Sequence, residues 1–155
     1  MSFLKQKVFK YLCPPGNGVF TVHTAKENKE KLHKKLYQTT NLNEVESKWK
    51  SNLENLGSNT APCLLGITLD TGGGIQRGAN WGPLFIRNQL NSYESPFFDL
   101  GDVKTIPHLL HDKYITEETK SECRKALYGS DNPLPVSALS ITEDFCENFY
   151  ALYPD

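Results

Sequence analysis

The apolar and polar positions of this 155-residue chain fall into two textures that meet near residue 61. The first sixty residues are polar, rich in Lys, Asn and Glu, and space their apolar side chains for helices. Leu32 and Leu36, four apart in the run from Ala25 to Tyr37, mark one helix made of good helix formers. From Asn43 onward, Val45, Trp49, Leu53 and Leu56 repeat at i, i+4, i+8 and i+11, a single stripe closed by Gly57. Each pattern predicts a helix with one packed and one wet face. Ahead of them Pro14-Pro15-Gly16 reads as a turn, and Val19-Phe20-Thr21-Val22 as a short strand.

From Ala61 the pattern shortens. APCLLGITLD is a nearly continuous apolar run ending in an acid, which predicts a buried parallel strand. The glycine-dense loop TGGGIQRGANWG follows, and Pro83 opens a helix through Arg87 to Leu90. Proline suits a first helical position, where its missing N–H would have had no partner. SPFFDLGDV then predicts a second strand ending in Asp99 and a Gly101-Asp102 turn. Strand, loop, helix, strand makes a βαβ unit, and hence a parallel sheet covered by helices. Thr116 is a good N-cap with Glu117 and Glu118 in the first turn, and Gly129 a good stop. After the connector DNPLPVSAL, Ser140-Ile141-Thr142-Glu143 reads as a capping box, with Ile141, Phe145, Phe149 and Leu152 on one apolar face. The expected class is α/β, with strands near 62–67 and 96–100 and helices near 83–91, 117–128 and 141–152. A polar segment with two helices (1–60) precedes the α/β part (61–155).

Charge narrows the function classes. The 17 basic and 18 acidic residues leave a net charge of −1, so no basic surplus points to nucleic acid and no acidic tail to a basic partner. Small molecules or other proteins remain as partners. Cys13, Cys63, Cys123 and Cys146 form no CxxC pair and no zinc-like spacing, and lysines break the N-terminal MSFLKQKVFKYL every few residues. The expectation is free thiols, no membrane span and a cytoplasmic setting.

Three readings of the glycine loop compete. Gly72, Gly74 and the helix at Pro83 echo a dinucleotide fingerprint, with Asp99 where a ribose-binding acid would stand. Arg77, however, holds the third glycine position, and no lysine follows before Lys104 to make a Walker loop. The glycines could instead serve only to permit positive φ in a surface turn. The third reading takes the whole stretch GITLDTGGGIQRGANWGPLFIR. Gly66, Asp70, Gly72, Gly78, Ala79, Gly82, Pro83, Ile86 and Arg87 fall in order into the slots of a ureohydrolase signature, and Asp99, Gly101, Asp102 and Val103 into a second one. Over residues 61–103 the chain resembles the front part of the arginase and agmatinase family.

That resemblance implies a three-layer α/β/α fold around a parallel sheet, arginase-like and here incomplete. In the complete family member, two manganese ions share a water and lower its pKa for hydrolysis of a guanidino or formimino C–N bond of a small substrate. The family's ligand motifs, Gly-Gly-Asp-His-Ser, Asp-Ala-His-x-Asp and Asp-x-Asp-x-x-Asp-Pro, are not found in the sequence. The resemblance therefore implies scaffold roles for Asp70, Gly78, Gly82, Pro83, Arg87, Asp99, Gly101 and Asp102, with no catalytic or metal-binding residue among them. The chain is expected to be inactive alone and to bind no manganese by itself. It is also expected either to self-associate through an unfinished sheet edge and an uncovered helix face at 141–152 or to be only marginally folded. The alternative is a stand-alone α/β binding domain, taking a nucleotide at the 71–82 loop.

A second metal reading stays open at His108-Leu109-Leu110-His111-Asp112. If helical, it places His108, His111 and Asp112 at i, i+3 and i+4 for zinc or manganese; it fits equally a loop that tucks Leu109 and Leu110 into the core. His23 and His33 lie in polar segments and are expected to be solvated. Ser137, Ser140 and Thr142 read as connector and cap, and no cysteine has a nearby histidine to activate it.

Overall fold

A computed structural model of the chain describes residues 3–18, 23–57, 61–71, 75–94 and 96–153. The strand expected over 19–22, together with Gly72 and Gly74, lies outside the described residues. Within them the chain forms α1 (Phe3–Phe9), β1 (Leu12–Cys13), α2 (His23–Tyr37), α3 (Leu42–Glu54), β2 (Cys63–Gly66), α4 (Gly82–Ser92), β3 (Phe98–Val103), α5 (Glu117–Tyr128) and α6 (Ala138–Leu152). Single 3₁₀ turns sit at Ala79–Trp81 and Asp112–Tyr114. The class is α/β. None of these helices is long and apolar enough to cross a membrane.

The sheet order is β1-β3-β2. β2 and β3 are parallel, with α4 as their crossover, as the βαβ pattern predicts. β1 runs antiparallel to β3, Leu12 opposite Val103 and Cys13 opposite Asp102, so the sheet is mixed rather than wholly parallel. Two residues are too short to show a period-two pattern, which is why the sequence does not announce β1. β2 is also less buried than its apolar run suggests. Cys63 is exposed and Leu64 and Leu65 half-buried, because β2 stands at one edge of the described sheet.

β3 runs past its expected end. Gly101 and Asp102 lie inside the strand and form no turn: the register steps from Leu64–Asp99 to Leu65–Gly101, leaving one extra residue on β3. Gly101 takes φ +96° at this bulge, a conformation glycine reaches without steric penalty. A regular pleat would put positions 99 and 102 on opposite faces. The extra residue resets the alternation, and this places both carboxylates where one guanidinium can reach them.

The core draws on both sides of the texture change at Ala61. Val8, Leu12, Val45, Trp49, Leu53, Leu100, Val103, Ile141 and Phe145 form one buried cluster, each such side chain contributing roughly 1.5–3 kcal/mol. Trp49 Nε1–H donates to the Leu100 carbonyl at 3.2 Å, tying α3 to the strand beside the bulge. The α6 stripe expected to stand open is covered: α1 packs on α6, Ile141 and Phe145 are buried, and Phe149 and Leu152 lie against the same cluster.

The caps are mostly as read. Asn41 accepts from Asn43 and Glu44 N–H at the start of α3, Thr116 from Thr119 N–H at the start of α5, and Gly129 ends α5 at φ +75°. The capping box at Ser140 is the exception. α6 begins at Ala138, because other groups satisfy its first donors. The Leu109 carbonyl accepts from Ala138 N–H and the Leu110 carbonyl from Leu139 N–H, both at 3.1 Å, while the Asp112 carboxylate takes the Val136 and Ser137 N–H groups.

Candidate functional site

The residues singled out by the two signature segments converge on Arg87, which α4 holds fully buried against β3. Its Nε donates to Asp99 Oδ2 at 2.8 Å, and its Nη2 to Asp99 Oδ1 at 3.0 Å and the Gly101 carbonyl at 2.8 Å. Its Nη1 donates to Asp102 Oδ1 at 2.5 Å. The other Asp102 oxygen accepts the N–H groups of Gly16 at 2.7 Å and Gly18 at 3.2 Å, which draws the Pro14-Pro15-Gly16 turn onto the end of the sheet. Gly66 makes room for the pair from β2: a Cβ there would collide with Asp102 Oδ1 and approach Arg87 Nη1 to 2.7 Å.

Burial opposes the charge on Arg87, but Asp102 and Asp99 together outweigh it and hold the guanidinium above its usual value. Burial pushes the Asp99 carboxyl up, against the pull of Arg87 and of the Gly101 N–H. The forked contact is the geometry in which a carboxylate and a guanidinium are best matched. Four hydrogen bonds occupy a group with five N–H donors. With four of the five donors engaged and the side chain fully buried, the cluster binds helix, strand and turn together rather than facing solvent as an anion site.

Asp70 does the same for the glycine loop. Its N–H donates to the Pro107 carbonyl at 2.9 Å, and its Oδ1 accepts from Gly78 N–H at 2.9 Å and Ala79 N–H at 3.1 Å. Arg77 Nη1 donates to the Asp70 carbonyl at 3.1 Å. The backbone donors at the start of the 3₁₀ turn, which a phosphate would need, are thus held by a carboxylate of the chain itself.

The two glycines kept for positive φ differ. Gly78 has φ +119°, whereas Gly82 has φ −48° and is simply the first residue of α4, ahead of Pro83. Among the described residues no heavy atom beyond the chain neighbours lies within 4 Å of a Cβ at either position, so backbone strain is what separates them. Gly78→Val is expected to cost at least about 1–2 kcal/mol, the price of a left-handed backbone for an L residue, and Gly82→Val much less. Thermal melts of the two variants check this; equal losses would contradict the backbone assignment.

The histidine cluster does not assemble. The stretch from His108 to Asp112 is a turn and a loop, since the carbonyls of Leu109 and Leu110 are used at the start of α6. Leu110 is exposed and Leu109 half-buried, so neither is tucked into the core. His108 is exposed, His111 Nδ1 accepts from Lys113 N–H at 3.1 Å, and Asp112 is taken up with the α6 terminus. Among the described residues no three His, Cys, Asp or Glu side chains are grouped to hold a metal ion. The four cysteines stand as separate thiols, and burial pushes Cys13 up to about 12, leaving it a poor nucleophile.

His33 is not solvated. It is 1% exposed on the inner face of α2, with Nε2 at 2.8 Å from the Pro15 carbonyl, so Nε2 carries a proton and donates it to that carbonyl. The side chain of His23 lies outside what is described. Burial, opposed by the Pro15 bond and reinforced by Lys29, lowers the His33 pKa. A lowered folded-state pKa means that its contribution to stability is full above the unfolded value of about 6.5 and is lost as pH falls from there through the folded value. The difference in stability between the parent chain and His33→Gln, which keeps a donor but cannot titrate, is expected to shift over that interval. Parallel pH–stability curves would show that His33 is not held neutral.

Sequence reasoning missed this histidine and the two glycine N–H groups on Asp102. The signal that could have found both is the Pro14-Pro15-Gly16-Asn17-Gly18 turn, whose rigid backbone needs partners for its polar groups. Comparison of the chain with models of protein families, with curated proteins and with solved structures finds no match in any of the three.

Proposed function

We propose that this chain is the N-terminal part of a ureohydrolase-type protein and supplies scaffold rather than chemistry. One observation carries the reading: the two segments that resemble the family's signatures meet in one buried cluster. Arg87 of the first binds Asp99, Gly101 and Asp102 of the second. Such a junction sets the loops at the carboxyl ends of two parallel strands, the place where open α/β sheets put their ligand sites. In the complete family member manganese would supply the activated water. The described residues offer that ion no ligand group. The arginase-like arrangement of three layers and the guanidino-type substrate belong to this proposal.

Two measurements test it. The purified chain supplied with Mn²⁺ is expected to release no urea from arginine or agmatine above a blank; metal-dependent release would place a site among these residues. Reading the coding sequence on past codon 155 is expected to reveal a Gly-Gly-Asp-His-Ser segment. Its absence in every frame would remove the family reading. The nucleotide alternative is less well supported, because Asp70 already holds the Gly78 and Ala79 donors.

A further inference from the structure

A cleft of about 460 Å³ opens between α1, β1 and α3, and borders the Arg87 cluster through Cys13, which pairs with Asp102 across the β1–β3 ladder. Sites for small molecules commonly span about 300–1,000 Å³ and combine an apolar body with a few convergent polar groups. The apolar wall here is Phe9, Leu12, Trp49 and Leu53, none of them more than 8% exposed. Among the described residues the charged lining is Lys10, Lys50, Lys104 and Glu46, and Glu46 is ion-paired with Lys50 at 2.6 Å. Three of these four charged residues are basic, in a chain whose net charge is −1. Asn17 also lines it, and among the described residues Asn17 Oδ1 is buried with no hydrogen-bond partner. Such an acceptor calls for a donor from outside the protein, a water or a ligand.

We propose that this cleft binds a small organic anion with an apolar body and a hydroxyl or N–H donor. The lysines take its carboxylate, the Phe9–Trp49 wall its hydrocarbon, and Asn17 Oδ1 its donor. The proposal does not depend on the ureohydrolase reading. Cys13 lines the same cleft, and burial raises its pKa, so it adds no thiolate charge to the lining.

Trp49 reports the site directly once Trp81 is replaced by phenylalanine. In that background, phloretate (a phenol with a propionate tail) is expected to change Trp49 fluorescence saturably. Hydrocinnamate, which lacks the hydroxyl, should bind several-fold more weakly. Its uncharged amide, hydrocinnamamide, should be weaker than hydrocinnamate by at least about ten-fold, the size of one charge-assisted hydrogen bond. Lys104→Gln and the exposed Lys50→Gln should each weaken phloretate while leaving the circular dichroism spectrum unchanged, and added salt should do likewise. Hydrocinnamamide or phenethylamine binding as tightly as hydrocinnamate would reduce the cleft to a merely apolar one and overturn the proposal. Phloretate affinity unaltered in both lysine variants, or no saturable signal at all, would do the same.

Discussion

Arg87→Met is expected to destabilise the chain by about 3–5 kcal/mol, the usual consequence of removing one partner from a buried ion pair. Methionine roughly matches the volume of the side chain, so the effect isolates charge and hydrogen bonding from packing. The variant leaves Asp99 and Asp102 facing each other's field in a site where Arg87 and Asp102 are each about 1% exposed. It also removes the Nη2 donor from the Gly101 carbonyl. In a chain of this length 1 kcal/mol moves the melting temperature by about 2–4 °C, so a fall of roughly 6–20 °C is expected. Arg87→Lys should recover only part of it, since an ammonium cannot span Asp99 and Asp102 as the planar fork does. The variant's pH dependence separates lost charge from lost packing. Asp99, whose carboxyl burial already pushes up, loses the cation that opposed the push. The folded variant then binds a proton more readily than the unfolded chain, so its deficit against the parent should shrink as pH falls toward 4 and widen toward neutrality. A deficit independent of pH would mean that Asp99 does not feel Arg87.

Much of this architecture is visible in periodicity and punctuation. The α3 stripe, the Thr116 cap, the Gly129 stop and the βαβ order are local signals, written within one helix turn or one strand. What the sequence conceals depends on distant partners. β1 exists only because Leu12 and Cys13 find β3 some ninety residues on. Ser140 has the right neighbours for a capping box, yet Leu109, Leu110 and Asp112 reach α6 first. His33 sits among lysines and glutamates, and nothing nearby in sequence says that Pro15 will accept its proton. The candidate cluster is intermediate. The signature spacing singles out Asp70, Arg87, Asp99 and Asp102, but which carboxylates Arg87 binds is set by the bulge, and a bulge leaves no trace in hydrophobic pattern beyond a glycine.

That glycine yields the other large effect. Gly101→Ala is expected to cost about 2–6 kcal/mol, because two penalties fall on one methyl group. The first is backbone strain of about 1–3 kcal/mol for a side chain at φ +96°. The second is overpacking, again about 1–3 kcal/mol, since the new Cβ would collide with the Cys13 carbonyl oxygen and lie 3.1 Å from Trp49 Nε1. The carbonyl belongs to the paired strand β1, so relief means opening the β1–β3 ladder or flattening the bulge. Flattening would return positions 99 and 102 to opposite faces and break the Arg87 cluster with them. Gly129→Ala provides the control: its φ is +75° and nothing among the described residues lies within 4 Å of its Cβ, so it should carry the strain alone. Denaturant melts give the two costs, and in a Trp81→Phe background Trp49 fluorescence gives the location. Because the indole donates to Leu100, the extra residue of the bulge, its emission should shift in Gly101→Ala and stay unchanged in Gly129→Ala. Equal stability of the two alanine variants, with Trp49 unmoved in both, would show that β3 carries no bulge at Gly101 and that another geometry brings Asp99 and Asp102 to Arg87.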